Sequence, residues 1–255
     1  MNKQFLNMKN HKYRVFINEE KPNNQVLKLW NYLGWEVISV ETKSPSIRLI
    51  EESNYFLWTD NTLAWFDDSG HRLSFPSFDI AYNKHLSRRY SLKNEPFAKA
   101  VGYKNRETKW VLDGTVGLGK DTILLKSYGF NVIGTEQDSF CAGIIGTNLL
   151  KDSNLKHGFP FFMGPCEQYL AIGANNYQTS NSYELNNWIN ESKVTPFTYQ
   201  NYISPDVIYL DPMYSEYNKN SLPSKDMQVL RGKINFSHSG FENLFLQSLK
   251  MCKGR

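Results

Sequence analysis

The sequence predicts an α/β protein: a doubly wound, mostly parallel sheet carrying a small β-rich N-terminal extension. Two observations carry that prediction. From residue 110 onward, short apolar runs alternate with helix-length stretches, the rhythm of strand–helix–strand crossovers in a parallel sheet. Before residue 90, short runs of β-branched and aromatic residues follow one another with turn signals between them. Two regions are expected, residues 1–90 and residues 91–255, the second bearing the main sheet.

In the first region, strands are expected at 14–17, 36–40, 46–50, 55–58 and 62–66, with a helix at 24–33. The pairs Asp60-Asn61 and Ser69-Gly70 mark turns, and such closely spaced strands read as a mostly antiparallel unit. In the second region, strands are expected at 110–113, 131–136, 159–163 and 207–211. Helices are expected at 121–128, 139–150, 167–172 and 241–251, with Gly129 closing the first. Residues 173–205, rich in Asn, Ser, Thr and Tyr, read as a surface insertion.

The 255 residues, 40% hydrophobic and 15% aromatic, are enough for a sizeable core and exclude a disordered chain. Cys141, Cys166 and Cys252 are odd in number, far apart and without C-x-x-C spacing, so neither a disulfide framework nor a metal site is expected. No apolar run is long enough for a membrane span or a signal h-region, so a cytoplasmic protein, expected to be a monomer, is anticipated. Charge is concentrated: residues 84–109 carry eight Lys/Arg against Glu95 and Glu107 alone. Such a cluster, including Lys84, Arg88, Arg89, Lys93 and Lys99, fits either a phosphate backbone or a solvated surface.

Residues 113–121 read Asp-Gly-Thr-Val-Gly-Leu-Gly-Lys-Asp, a glycine-rich turn between a strand and a helix. Such a turn lets a ligand approach the backbone. Gly114-x4-Gly119-Lys120 has phosphate-loop spacing, but Asp121 stands where that motif needs Ser or Thr to reach a metal. A dinucleotide fingerprint orders its glycines differently. S-adenosylmethionine, which has no phosphate, tolerates acids and accounts for more residues together. Asp113 would face its cationic amino-acid end, directly or through water, across Gly117 and Gly119. Glu136 would accept hydrogen bonds from both ribose hydroxyls, with Gln137 near the adenine.

The fourth strand ends in Asp211-Pro212-Met213-Tyr214, at the edge where open α/β sheets bind ligands. An exocyclic amine on a base needs acceptors for its hydrogens and a clear line from its nitrogen to the methyl. Asp211 and the Pro212 carbonyl supply the acceptors, and Tyr214 a ring on which the base stacks. A plain strand-ending turn is the alternative reading of the same four residues.

Taken together, Arg88-Arg89-Tyr90, Ala98-Lys99-Ala100-Val101-Gly102, the loop from Leu112 to Asp121, Glu136-Gln137, the run from Val207 to Tyr214, and Met227 resemble the ribosomal RNA small subunit methyltransferase J family. The resemblance covers about residues 46–255. It implies a class I, Rossmann-like methyltransferase that moves a methyl from S-adenosylmethionine to the N2 of a guanine in 16S ribosomal RNA. It also implies cofactor contacts at Lys120, Asp121, Glu136, Gln137, Pro165, Cys166 and Asp211. Pro165 departs from the hydroxyl residues usual at its position. The family pattern continues past the helix at 241–251 into further strands, so the resemblance implies a chain cut short, with an open edge on the fourth strand. A nucleotide hydrolase, and an RNA-binding relative that has lost catalysis, are the competing expectations.

Overall fold

The computed structural model describes residues 13–18, 20–40, 54–75, 77–88, 92, 94–103, 110–152, 155–173, 202–212, 228 and 238–251. The strand expected at 46–50, nearly all of the expected insertion, and Arg89, Lys93, Tyr214 and Met227 lie outside them. The chain divides into two compact units, Met1–Pro76 and Ser77–Arg255, a boundary earlier than residue 90.

The first unit is a five-stranded sheet ordered β2-β1-β3-β4-β5, made of β1 (Arg14–Asn18), β2 (Glu36–Val40), β3 (Tyr55–Thr59), β4 (Thr62–Phe66) and β5 (Arg72–Ser74). The expected antiparallel character holds only for its β3-β4-β5 half, since β1 pairs in parallel with both β2 and β3. The reason is the helix α1 (Asn24–Tyr32) between β1 and β2: a helical crossover returns the chain to the same end and makes the pair parallel. Asn23 caps α1, its side chain accepting the Val26 N–H at 3.0 Å. Aromatic rings fill this core: Trp35 stacks on Phe56 at 4.5 Å, and Trp30, Trp58 and Trp65 are fully buried.

The second unit is a parallel four-stranded sheet ordered β8-β7-β6-β9, from β6 (Trp110–Asp113), β7 (Asn131–Glu136), β8 (Phe161–Met163) and β9 (Val207–Tyr209). β8 and β9 are shorter than expected, so Leu210, Asp211 and Pro212 lie beyond the last strand. Helices α2 (Phe78–Ser87), α3 (Pro96–Ala100), α4 (Lys120–Ser127), α5 (Ser139–Leu150), α6 (Cys166–Gly173) and α7 (His238–Met251) accompany it. The period of two along the strands decides which face each side chain covers. Val111, Val132 and Val207 point into one cluster with Ala98 of α3 and Leu125 of α4. Their neighbours Leu112 and Ile133 point the other way, against Tyr169 and Leu170 of α6 and Leu244 of α7. Both faces are therefore covered, as double winding requires. Each fully buried Leu or Ile there contributes on the order of 1.5–3 kcal/mol.

β7 and β8 are added on one side of β6, and β9 on the other. The order thus reverses at β6, and the crevice outside the carboxyl ends of β6 and β9 is where such a sheet holds a ligand. At the opposite end, the Asp206 carboxylate accepts the Trp110 N–H at 2.9 Å. The Asp206 N–H donates back to the Trp110 carbonyl at 2.9 Å, pinning β9 to β6.

Candidate active site

A pocket opens at that reversal. It is lined by Gly114, Thr115 and Gly117 after β6, Glu136 and Gln137 at the end of β7, and Cys166 and Glu167 opening α6. Asp211 and Pro212 after β9, with Leu244 of α7, close it. Each strand end of the sheet thus sends residues to one place.

The glycine-rich loop is held by its own protein. Gly114 N–H donates to the Tyr209 carbonyl at 2.9 Å, Val116 N–H to the Thr135 carbonyl at 3.2 Å, and Gly119 N–H to the Val116 carbonyl at 2.8 Å. Thr115 N–H donates to Asp113 Oδ1 at 3.1 Å, and Gly117 N–H to Glu136 Oε2 at 2.8 Å. A phosphate loop works by leaving such amides to converge on its anion. Here five of them already have protein acceptors, two of these carboxylates. Lys120, exposed at the start of α4, does not line the pocket either. The loop therefore lacks the converging amides and the pocket lysine that a nucleotide hydrolase needs.

Glycine is required at two of these positions. A Cβ at Gly114 would meet Leu210 Cδ2 at 2.6 Å and Cys166 Sγ at 2.8 Å. Gly119 caps α4 at φ 75°, and a Cβ there would lie 3.0 Å from Ile145 Cδ1.

The structure distinguishes among the expected cofactor residues. Gly117, Glu136, Gln137, Cys166 and Asp211 line the pocket. Asp113 lies behind it, 1% exposed, with Oδ2 accepting the Thr122 hydroxyl at 2.6 Å as well as Oδ1 accepting Thr115. Asp113 thus clamps the loop from behind the pocket. Asp121 accepts the Tyr209 hydroxyl at 2.9 Å and is likewise absent from the lining, as are Gly119 and Pro165. Gly114, Thr115, Glu167 and Leu244 also line the pocket. The first two stand inside the glycine-rich loop and are legible there, whereas nothing in the sequence ties Leu244 to residues before 212.

Burial raises the Asp113 carboxyl to about 7, against the two hydrogen bonds it accepts and with Asp121 and Asp211 adding repulsion. Burial likewise raises Glu136 to about 7, although Oε1 also accepts the Asp138 N–H at 2.8 Å. Asp211 is raised by burial and by the charge of Asp121. The Cys166 thiol is pushed up to about 12 by burial, which removes it as a nucleophile near neutral pH. Glu136, Glu167 and Asp211 all face the pocket while no Lys or Arg among the described residues does. That donor set repels a polyphosphate and suits a ligand with cationic sulfonium and ammonium groups, so the residues present fit S-adenosylmethionine.

Of the basic residues singled out, Lys84 and Arg88 are exposed, one in α2 and one at its C-cap, four residues apart, and Lys99 is exposed in α3. No helix among the described residues is long and apolar enough to cross a membrane.

A parallel sheet reversing at β6 over an acidic crevice defines a class I, Rossmann-like methyltransferase fold. The family model described as "Putative SAM-dependent methyltransferase" matches residues 46–158 and 173–255, well over half of the chain. The chain belongs to that SAM-dependent methyltransferase family, whose cofactor is S-adenosylmethionine. Among similar proteins is a ribosomal RNA small subunit methyltransferase J of Buchnera aphidicola (subsp. Acyrthosiphon pisum, strain Tuc7). It is 34% identical over 184 residues, 72% of this chain and 65% of that protein. The protein of the same name from Thioalkalivibrio sulfidiphilus is 31% identical over 61% of this chain and 53% of its own length. The chain thus spans less than two thirds of these relatives. A crystal structure of a SAM-dependent methyltransferase from Neisseria gonorrhoeae shares the fold, with a TM-score of 0.53 and 19% identity, over 94% of this chain and 81% of that one.

Proposed function

We propose that the chain transfers a methyl group from S-adenosylmethionine to the N2 exocyclic amine of a guanine in 16S ribosomal RNA, as part of small-subunit maturation in the bacterial cytoplasm. The observation that carries this reading is the pairing of Glu136 and Asp211-Pro212 across one acidic pocket at the sheet reversal. The names of the relatives, ribosomal RNA small subunit methyltransferase J, support the RNA substrate.

Bound S-adenosylmethionine supplies an electrophilic methyl on a sulfonium. Glu136 and Gln137 would hold its adenosine half, and Gly114 and Gly117 would let it lie close to the backbone. Asp211 and the Pro212 carbonyl would accept the two hydrogens of the amine, aiming its nitrogen at the methyl. As the amine nitrogen takes the methyl, the S–CH3 bond breaks, the neutral thioether S-adenosylhomocysteine leaves, and the nitrogen sheds one proton. Asp211, its carboxyl raised above the ordinary value, is the acceptor. Positioning rather than covalent catalysis supplies most of the rate. Lys84, Arg88 and Lys99 would bind RNA phosphates, and Tyr214 would stack on the extruded base.

The test is methyl transfer from labelled cofactor to small subunits of a strain lacking the enzyme, run beside calorimetric titrations. Saturable heat with S-adenosylhomocysteine and none with Mg-ATP is expected; the reverse overturns the reading. Asp211→Ala is expected to abolish transfer while RNA binding persists. Unchanged transfer would remove Asp211 from the site.

A further inference from the structure

We infer that Thr115 is the positioning residue that sets the amine-binding turn against the cofactor loop; this deepens the methyl-transfer reading and rests on it. Two hydrogen bonds place it there. The Thr115 N–H donates to the buried Asp113 Oδ1 at 3.1 Å, so the loop side of the residue is fixed by a carboxylate itself held by Thr122. The Thr115 Oγ1 accepts the Asp211 N–H at 2.8 Å, reaching across 96 residues of chain. Asp211 stands past the end of β9, beyond the ladder that pairs Asp113 with Tyr209. The Thr115 hydroxyl therefore replaces the strand hydrogen bond that would otherwise locate this turn.

The consequence is geometric. Asp211 must present its carboxylate to an amine, and the cofactor loop must present the methyl to the same nitrogen. A single side chain spans the two, and both Thr115 and Asp211 line the pocket.

Thr115→Val keeps the shape and removes the acceptor, whereas Thr115→Ser keeps the acceptor. In full-length protein, Thr115→Val is expected to lower kcat on the order of tenfold to a hundredfold, the scale of a misplaced reacting group. Its KM for S-adenosylmethionine should stay within about threefold, and Thr115→Ser should restore kcat. The second readout needs no turnover: amide hydrogen exchange at Asp211 in the unliganded protein should accelerate at least tenfold in Thr115→Val and not in Thr115→Ser. Wild-type kcat in Thr115→Val, a loss confined to KM, or unchanged exchange at Asp211 each overturns the inference. A wild-type chain that transfers no methyl overturns the proposed activity instead, and the exchange rates still decide whether Thr115 holds Asp211.

Discussion

Gly117 donates its backbone N–H to the Glu136 carboxylate at 2.8 Å, across nineteen residues, joining the cofactor loop to the end of the next strand. The other Glu136 oxygen takes the Asp138 N–H that begins the following turn. One buried carboxylate thus sets two segments of the pocket wall.

A pH dependence follows. Asp113 and Glu136 rise from 3.8 and 4.5 to about 7 in the fold, so the native protein keeps protons that the unfolded chain releases. Their contribution to stability is present below pH 4 and is lost as pH climbs through 7. Thermal melts of the unliganded protein should therefore show Tm falling between pH 5 and pH 8. Asp113→Asn, which cannot ionise, should flatten that fall; an equal slope in wild type and variant contradicts the assignment. Because only an ionised Glu136 can accept from both ribose hydroxyls, S-adenosylmethionine should bind more tightly as Glu136 ionises across the same interval.

Two glycines separate backbone strain from crowding. Gly129, at φ 93°, has nothing within 4 Å of an added Cβ, whereas Gly119, at φ 75°, has Ile145 and Phe78 at 3.0 and 3.3 Å. An alanine at either site costs about 1–2 kcal/mol of conformational strain. At Gly119, overpacking adds about 1–3 kcal/mol. Urea denaturation should therefore rank Gly119→Ala below Gly129→Ala, and equal midpoints would count against the crowding.

Asp79 of α2 ties that helix to the loop before β8. Its carboxylate accepts the Lys156 and His157 N–H groups at 3.3 and 2.9 Å, beside a Tyr82–His157 stack at 3.6 Å. Asp79→Ala should cost about 1 kcal/mol in denaturation, the net worth of the hydrogen bonds lost at a partly exposed site. A midpoint identical to wild type would show the pair to be incidental.

Replacing Lys84 and Arg88 by Gln should weaken RNA binding and cost only a small part of thermal stability, because both side chains are exposed although their charges favour the C-terminal end of α2. For every RNA phosphate that the variant no longer neutralises, the slope of log affinity against log salt should shrink by about 0.7–0.9. An unchanged slope assigns these residues to an ordinary solvated surface.

How much of this was legible depends on where each signal lies. β7 and α5 have the bounds the sequence implies, because Gly129 and the capping Asp138 punctuate them locally. Helix α2 is not among the expected elements although its marks are local: Ser77 caps it, and Phe78, Ala81 and Tyr82 repeat at helical spacing. The parallel pairing of β1 and β2 follows from the expected helix between them, against the antiparallel expectation. The early end of β9 was not legible, since Leu210 and Asp211 continue the strand's pattern of residues.

The sequence by itself determined the alternation of strands and helices after residue 110, the glycine-rich turn and the candidacy of Glu136 and Asp211, because these follow from local periodicity and from which residue types a backbone or a ligand tolerates. Only the tertiary structure decided that Asp113 sits behind the loop, that Glu136 holds Gly117, and that Thr115 meets Asp211. Those relations depend on strand order and register, which bring residues 19 and 96 positions apart within a hydrogen bond, and no local pattern encodes such a distance.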